Sequence, residues 1–202
     1  MRIGIDFDNT IVSYDALFHR IAVEKKLIPS QTPINKIAVR NYLRSIDQED
    51  HWTLMQGEVY GLRMNEAQAY PHAIQFMIQA KQAGHTLYII SHKTKQPFMG
   101  PPYDLHQAAK TWVDSHLVFQ KNPLFTSEYV FYELTKEEKI ERAKSLDCDI
   151  FIDDLPEILS MPGFPIHTKK ILFDPDVLHP KSTQTYTTAS SWKELAQLVL
   201  AK

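Results

Sequence analysis

Four short, almost unbroken apolar runs constrain the fold of this chain more than any other feature. They are Ile3-Gly4-Ile5, Leu87-Tyr88-Ile89-Ile90, Ile150-Phe151-Ile152 and Ile171-Leu172-Phe173. A strand with one wet face alternates apolar and polar side chains, whereas a strand apolar at every position needs cover on both faces. Helical patterns lie between the runs. Residues 72–83 sit between Pro71 and Gly84, the usual asymmetry of a helix start and stop. Residues 106–117 read as a second helix. Thr135-Lys136-Glu137-Glu138 has capping-box spacing and opens a third helix to about Leu146, and Ser191-Trp192-Lys193-Glu194 opens a last one. Strands alternating with helices predict an α/β fold with a mainly parallel sheet flanked by helices.

The 55 residues from 15 to 69 break this rhythm. They hold helix-like stretches such as Leu17-Phe18 with Ile21-Ala22, and aromatic material for a small core (Tyr42, Trp52, Tyr60), but no clear apolar strand. They are too many for one crossover helix. The expected organisation is an α/β core of residues 1–14 and 70–202 with a small helical domain, residues 15–69, inserted after the first strand. A Pro-rich stretch at 95–103 is expected to loop over the carboxyl edge of the sheet, the edge where open α/β sheets bind ligands.

Composition narrows the class of partner. With 22 basic and 24 acidic residues the net charge is −2, which gives no reason to expect a nucleic acid polymer or an anionic membrane. One cysteine, Cys148, excludes an intrachain disulfide framework and a cysteine-based zinc site. No apolar run approaches the ~18 residues of a membrane span. Met1 to Ile5 is too short to be the apolar part of a leader, so a soluble, cytoplasmic protein is expected. Nothing in the sequence addresses its oligomeric state. No glycine-rich phosphate loop is present among only 6 glycines.

Three of the apolar runs end in polar residues of chemical interest: Asp6, Ser91 and Asp153. In Asp6-Phe7-Asp8-Asn9-Thr10 two carboxylates stand two residues apart where the first strand runs out. One can attack as a nucleophile while the other handles protons; an Asx turn is the plainer explanation of the same residues. Asp153-Asp154 puts a second acidic pair at another strand end. Capping the helix that Pro156 begins accounts for one of these carboxylates, and a hard cation such as Mg²⁺ would account for the other. Ser91 can hold a phosphate oxygen or simply close a turn. No G-x-S-x-G surrounds it, which rules out that serine-hydrolase reading. His92 and Lys93, which follow it, are candidates for substrate contact. A buried site with several carboxylates would also need a fixed cation, and Lys136 and Lys139 on the third helix are the candidates.

Taken together and in order, these segments resemble the four motifs of the haloacid dehalogenase-like superfamily of phosphotransferases. Asp6-Phe7-Asp8-Asn9-Thr10 resembles DxDxT, Leu87 to Ser91 the strand ending in Ser or Thr, Lys139 or Lys136 the lysine motif, and Asp153-Asp154 the terminal acidic pair. The resemblance spans residues 3–154. It implies a Rossmann-like core and, at 15–69, a cap of C1 position. It implies a phosphatase that hydrolyses a small phosphorylated metabolite, such as a sugar phosphate or nucleotide, with Mg²⁺ as cofactor. Asp6 would then be the nucleophile and a metal ligand. Asp8 would be the acid and base, with its carbonyl on the metal. Ser91 and Lys139 would bind phosphoryl oxygens, with Lys139 preferred to Lys136 on spacing. Asp153 would ligate the metal, and Asp154 would support the metal's water shell. Members acting on carbon–halogen bonds lack the second Asp, so Asp8 favours phosphoester chemistry. A phosphotransferase or mutase using the same intermediate, and a non-catalytic binding module of the same fold, are the competing readings. Specificity is expected in Tyr14, Tyr42, Trp52 and the 95–104 loop with Tyr103.

Overall fold

The computed structural model describes residues 1–183 and 185–201. In chain order they form β1 (Arg2–Ile5), β2 (Val12–Ser13), α1 (Asp15–Glu24), α2 (Lys36–Ser45), α3 (Glu49–Gly57) and β3 (Gln68–Ala69). Next come α4 (Ala73–Gln82), β4 (Thr86–His92), α5 (Leu105–His116), β5 (Val118–Phe119), β6 (Asn122–Pro123) and β7 (Val130–Glu133). The chain ends with α6 (Lys136–Ser145), β8 (Ile150–Asp153), α7 (Pro156–Ser160), β9 (Lys169–Phe173), β10 (Thr187–Ala189) and α8 (Trp192–Leu200). Six strands make one sheet in the order β10-β9-β8-β1-β4-β7, with every pair parallel. This is the α/β architecture expected from the apolar runs, which occupy β1, β4, β8 and β9.

Two compact units share the chain. The first comprises Met1–Val12, Ala69–Lys93 and the chain from Asp114 onward, and it carries the whole six-stranded sheet. Helices cover both faces, as the continuous apolar strands require. On one side Ile140, Ala143, Ile158 and Leu159 pack with Ile90, Phe151 and Leu172. Elsewhere Trp192 lies between Phe76 and Phe173, with ring centroids 5.0 and 5.8 Å away. At the centre of the sheet Gly4 makes room for its neighbour: a Cβ there would lie 2.7 Å from the Phe151 ring and 3.2 Å from Cys148 Sγ. Gly4→Ala should therefore lower the unfolding free energy by about 1–3 kcal/mol through overpacking, read by urea denaturation; an unchanged midpoint would show that the ring can yield.

The second unit comprises Ser13–Gln68 together with Thr94–Val113. The later segment therefore packs with the insertion, although the sequence reading assigns it to the sheet domain. The reason is close contact at two glycines. A Cβ on Gly57 would stand 3.0 Å from Pro97, and one on Gly61 only 2.6 Å from Tyr103. Neither contact leaves a trace in local periodicity. Inside this unit α1, α2 and α3 surround an aromatic cluster. Phe18 stacks on Trp52 at 4.6 Å, Tyr60 meets the edges of Tyr14 and Phe18, and Lys36 Nζ lies 5.4 Å from the Tyr60 ring centre. Tyr60 belongs to one π-helical turn, Glu58–Leu62, which continues α3. Among the described residues no helix is long and apolar enough to cross a membrane.

Candidate active site

The site is built at the carboxyl edge of the sheet, within the first unit. Asp6 directly follows β1, its N–H still donating to the Ile152 carbonyl at 2.9 Å. The backbone then turns sharply. Phe7 O accepts from the N–H groups of both Ile11 and Val12 at 3.1 Å, and Asn9 takes φ +59°, a conformation Asn tolerates better than most residues. The turn brings Thr10 back beside Asp6, where its hydroxyl donates to Asp6 Oδ2 at 3.2 Å. Thr10 is fully buried, and its carbonyl accepts the Trp192 indole N–H at 3.1 Å. The two-residue spacing of the acids and the four-residue return of the threonine are thus one loop geometry.

The neighbouring strands supply the rest. Ser91, near the end of β4, donates from Oγ to Asp6 Oδ1 at 3.1 Å. Asp153 ends β8 with no exposure at all, and its Oδ1 accepts the Leu155 N–H at 3.0 Å. Leu155 stands at the N-cap position of α7 and makes no side-chain cap of its own; Asp153 receives its N–H, which is the one carboxylate that the helix start accounts for. The ammonium of Lys139 lies 2.6 Å from Asp6 Oδ1 and 2.6 Å from Asp153 Oδ2. Side chains on a helix tilt toward its N-terminus, which in the β7-α6-β8 crossover faces this edge of the sheet. A lysine one turn into α6 therefore reaches back to the acids. Lys136, at the start of the same helix, pairs instead with Glu157 at 2.6 Å on the surface. The helix itself starts on the expected capping box between Thr135 and Glu138.

Asp6, Asp153 and Asp154 each present a carboxylate oxygen, all within 4.8 Å of one another. Three hard anionic oxygens this close suit a small divalent cation such as Mg²⁺. Burial raises the proton affinity of Asp153, the nearby charge of Asp6 adds to this, and Lys139 opposes both. Burial likewise disfavours charge on Lys139, but Asp153 and Asp6 outweigh it and hold the ammonium's pKa above its ordinary value. One lysine thus faces more negative charge than it can match, and a cation fits that donor set.

Asp8 lies outside this trio. Both of its oxygens receive the ammonium of Lys93, at 2.9 and 2.7 Å. Tyr132, in register with Ser91 on β7, stands nearby; its hydroxyl is made much less acidic by burial and then by the charges of Asp8 and Asp114. The six residues expected to carry the chemistry, Asp6, Asp8, Ser91, Lys139, Asp153 and Asp154, therefore lie on one sheet edge. The sequence alone gives no part to Thr10 and offers Lys93 only as a substrate contact. The Thr10 bond was legible in the DxDxT spacing; the Lys93–Asp8 pair was not, because it joins residues 85 apart.

No protein-family model matches the chain. A curated protein of Oceanobacillus iheyensis named "Putative nucleotidase" is 21% identical over 203 residues, which cover 98% of each chain. Among solved structures, one titled as a dehalogenase superposes with a TM-score of 0.60 at 13% identity, covering 100% of this chain and 97% of that one. A Bacillus subtilis protein named "putative HAD-hydrolase", solved bound to magnesium, gives a TM-score of 0.52 at 16% identity, with 98% of this chain and 97% of that one covered. Likeness at these identities is likeness of fold, and the fold this chain carries is that of the haloacid dehalogenase-like superfamily.

Proposed function

We propose that this protein is a Mg²⁺-dependent phosphatase that hydrolyses a small phosphomonoester through an aspartyl-phosphate on Asp6. The observation that carries the reading is the buried Asp6 carboxylate, oriented by Ser91, Thr10 and Lys139 beside Asp153. A carboxylate is a weak nucleophile unless its lone pair is aimed and the charge of the incoming phosphate is offset. Asp6, Asp153 and Asp154 would hold the cation, with the Asp8 carbonyl as a further ligand. Bound there, Mg²⁺ would offset phosphoryl charge and align the ester for in-line attack.

In the first half-reaction an Asp6 oxygen bonds to phosphorus while the ester P–O bond breaks, and Asp8, which enters this step in its acid form, gives its proton to the departing alkoxide. In the second half water attacks the acyl phosphate, Asp8 takes the water's proton, and Asp6 is released with inorganic phosphate. Lys139 and Ser91, both already at Asp6 Oδ1, would bind the phosphoryl oxygens as charge builds in the transition state. The name borne by the curated relative puts nucleoside monophosphates first among substrates; sugar phosphates, the other class that the sequence resemblance implies, come next.

The test is phosphate release from a panel of both classes. Turnover with Mg²⁺ that vanishes in EDTA and returns on adding Mg²⁺ is the expected result. Release undiminished by EDTA, or no release from any ester, would overturn the reading. Transfer of the phosphoryl group to an added alcohol in preference to water would assign a phosphotransferase instead.

A further inference from the structure

We infer that Lys93 is a positioning residue that acts through Asp8, setting the orientation of the acid that protonates the leaving group. This rests on the phosphatase reading above. The acid of such a reaction must stand at one angle to the leaving oxygen, and small misplacements cost large factors in rate. Asp8 lies on a turn past the end of β1, and its side chain is 22% exposed against 4% for Lys93. Something must restrict its rotation, and Lys93 has the means. Its backbone N–H is tied to the Glu133 carbonyl at 2.8 Å, which continues the β4–β7 pairing one residue beyond β4. The Nζ lies 5.8 Å from the centre of the Phe7 ring, and that ring is itself braced edge-on by Tyr132 at 5.9 Å. From this walled position the ammonium meets both oxygens of the Asp8 carboxylate and so restricts its rotation; in the acid form one oxygen still accepts from Lys93 while the other carries the proton. A lysine serving only to collect substrate anions would have no need to span a carboxylate in this way. Lys139 performs the charge-matching task elsewhere, against Asp6 and Asp153.

A series of aryl phosphates, from 2,4-dinitrophenyl to phenyl phosphate, tests this with the Mg²⁺-loaded full chain. The dinitrophenolate leaves without a proton, whereas phenolate benefits from one. Because kcat/KM reports only events up to aryl release, it isolates the step in which Asp8 is the acid. Lys93→Met should leave kcat/KM for the dinitrophenyl ester within about threefold of wild type and lower it for phenyl phosphate by about 10–100-fold, within the range of general acid catalysis. Added to Asp8→Asn, it should cost less than about twofold anywhere in the series, since residues acting through one another are not additive. A uniform loss across the series, a KM rise common to every ester, or full additivity with Asp8→Asn would overturn the inference while leaving the phosphatase reading standing. Failure of the wild-type protein to cleave any ester would remove both. Should Lys93→Met not fold, Lys93→Gln and the double variant, in which both charges of the pair are removed, carry the same comparison.

Discussion

Asp6→Asn should lose turnover by at least about a thousandfold and unfold no more easily than the wild type. The first half follows from chemistry. An amide offers no anionic oxygen to phosphorus, and removing the nucleophile of a covalent mechanism costs several orders of magnitude. The second half follows from the charge balance of the site. Asp6 and Asp153 share a single buried ammonium, and the charge of Asp6 makes that of Asp153 harder to keep. Asparagine keeps an oxygen to accept from Ser91 and Lys139, and its NH2 can donate to the Thr10 hydroxyl in place of the bond it loses, while one of the two competing charges is removed. Lys139 and Asp153 are then left as a matched pair. In metal-free buffer the melting temperature should be equal to or above that of the wild type. Turnover near wild type would end the covalent mechanism, and a variant that fails to fold would show Asp6 to be a structural keystone. A hydroxylamine-labile phosphate label on the wild-type protein, absent from the variant, would identify the intermediate directly.

Strands buried on both faces declare themselves, which is why β1, β4, β8 and β9 were legible in the sequence. The two remaining strands were not read, for a physical reason. β7 and β10 lie at opposite edges of the sheet; Val130 to Glu133 are all only partly buried, and Thr187 to Ala189 make just three residues. An edge strand has no need to be apolar throughout, so its pattern fades into that of a loop. Site residues at the ends of central strands were readable because a carboxylate or hydroxyl closing an apolar run stands out. The lysines were less so. Lys136 and Lys139 are separated by less than one helical turn, and only the tertiary path of α6 sends one to the acids and the other to Glu157. Lys93 reads from the sequence only as a candidate for substrate contact after a strand. Its burial comes from the Phe7 ring and the pairing with β7, neither of which local sequence encodes.

Lys139→Met should be the most destabilising change in the site, and its cost should depend on pH and on divalent cation. The side chain is 2% exposed and joins two carboxylates that are 6% and 0% exposed. Methionine fills a similar volume, so the loss is of charge and hydrogen bonds more than of packing. Removing one partner from a buried ionic cluster costs about 3–5 kcal/mol, because the remaining charges stay behind without compensation. Those charges escape the penalty by taking up protons. The native Asp153 pKa already lies above its ordinary value even with Lys139 opposing the shift, and losing the lysine must raise it further. A carboxyl whose folded pKa exceeds its unfolded one favours the folded state fully only below the unfolded value, 3.8 for this group, and that contribution is lost as pH rises through the folded pKa. The variant should therefore be closest to wild type near pH 4–5 and fall furthest behind it at neutral pH, in EDTA. Mg²⁺ should recover part of the difference at neutral pH by binding the folded state alone. Urea denaturation of both proteins at two pH values, with and without Mg²⁺, reads all of this. A stability gap below about 1 kcal/mol, or one that is the same at both pH values, would show that Lys139 does not carry the charge balance of Asp6 and Asp153.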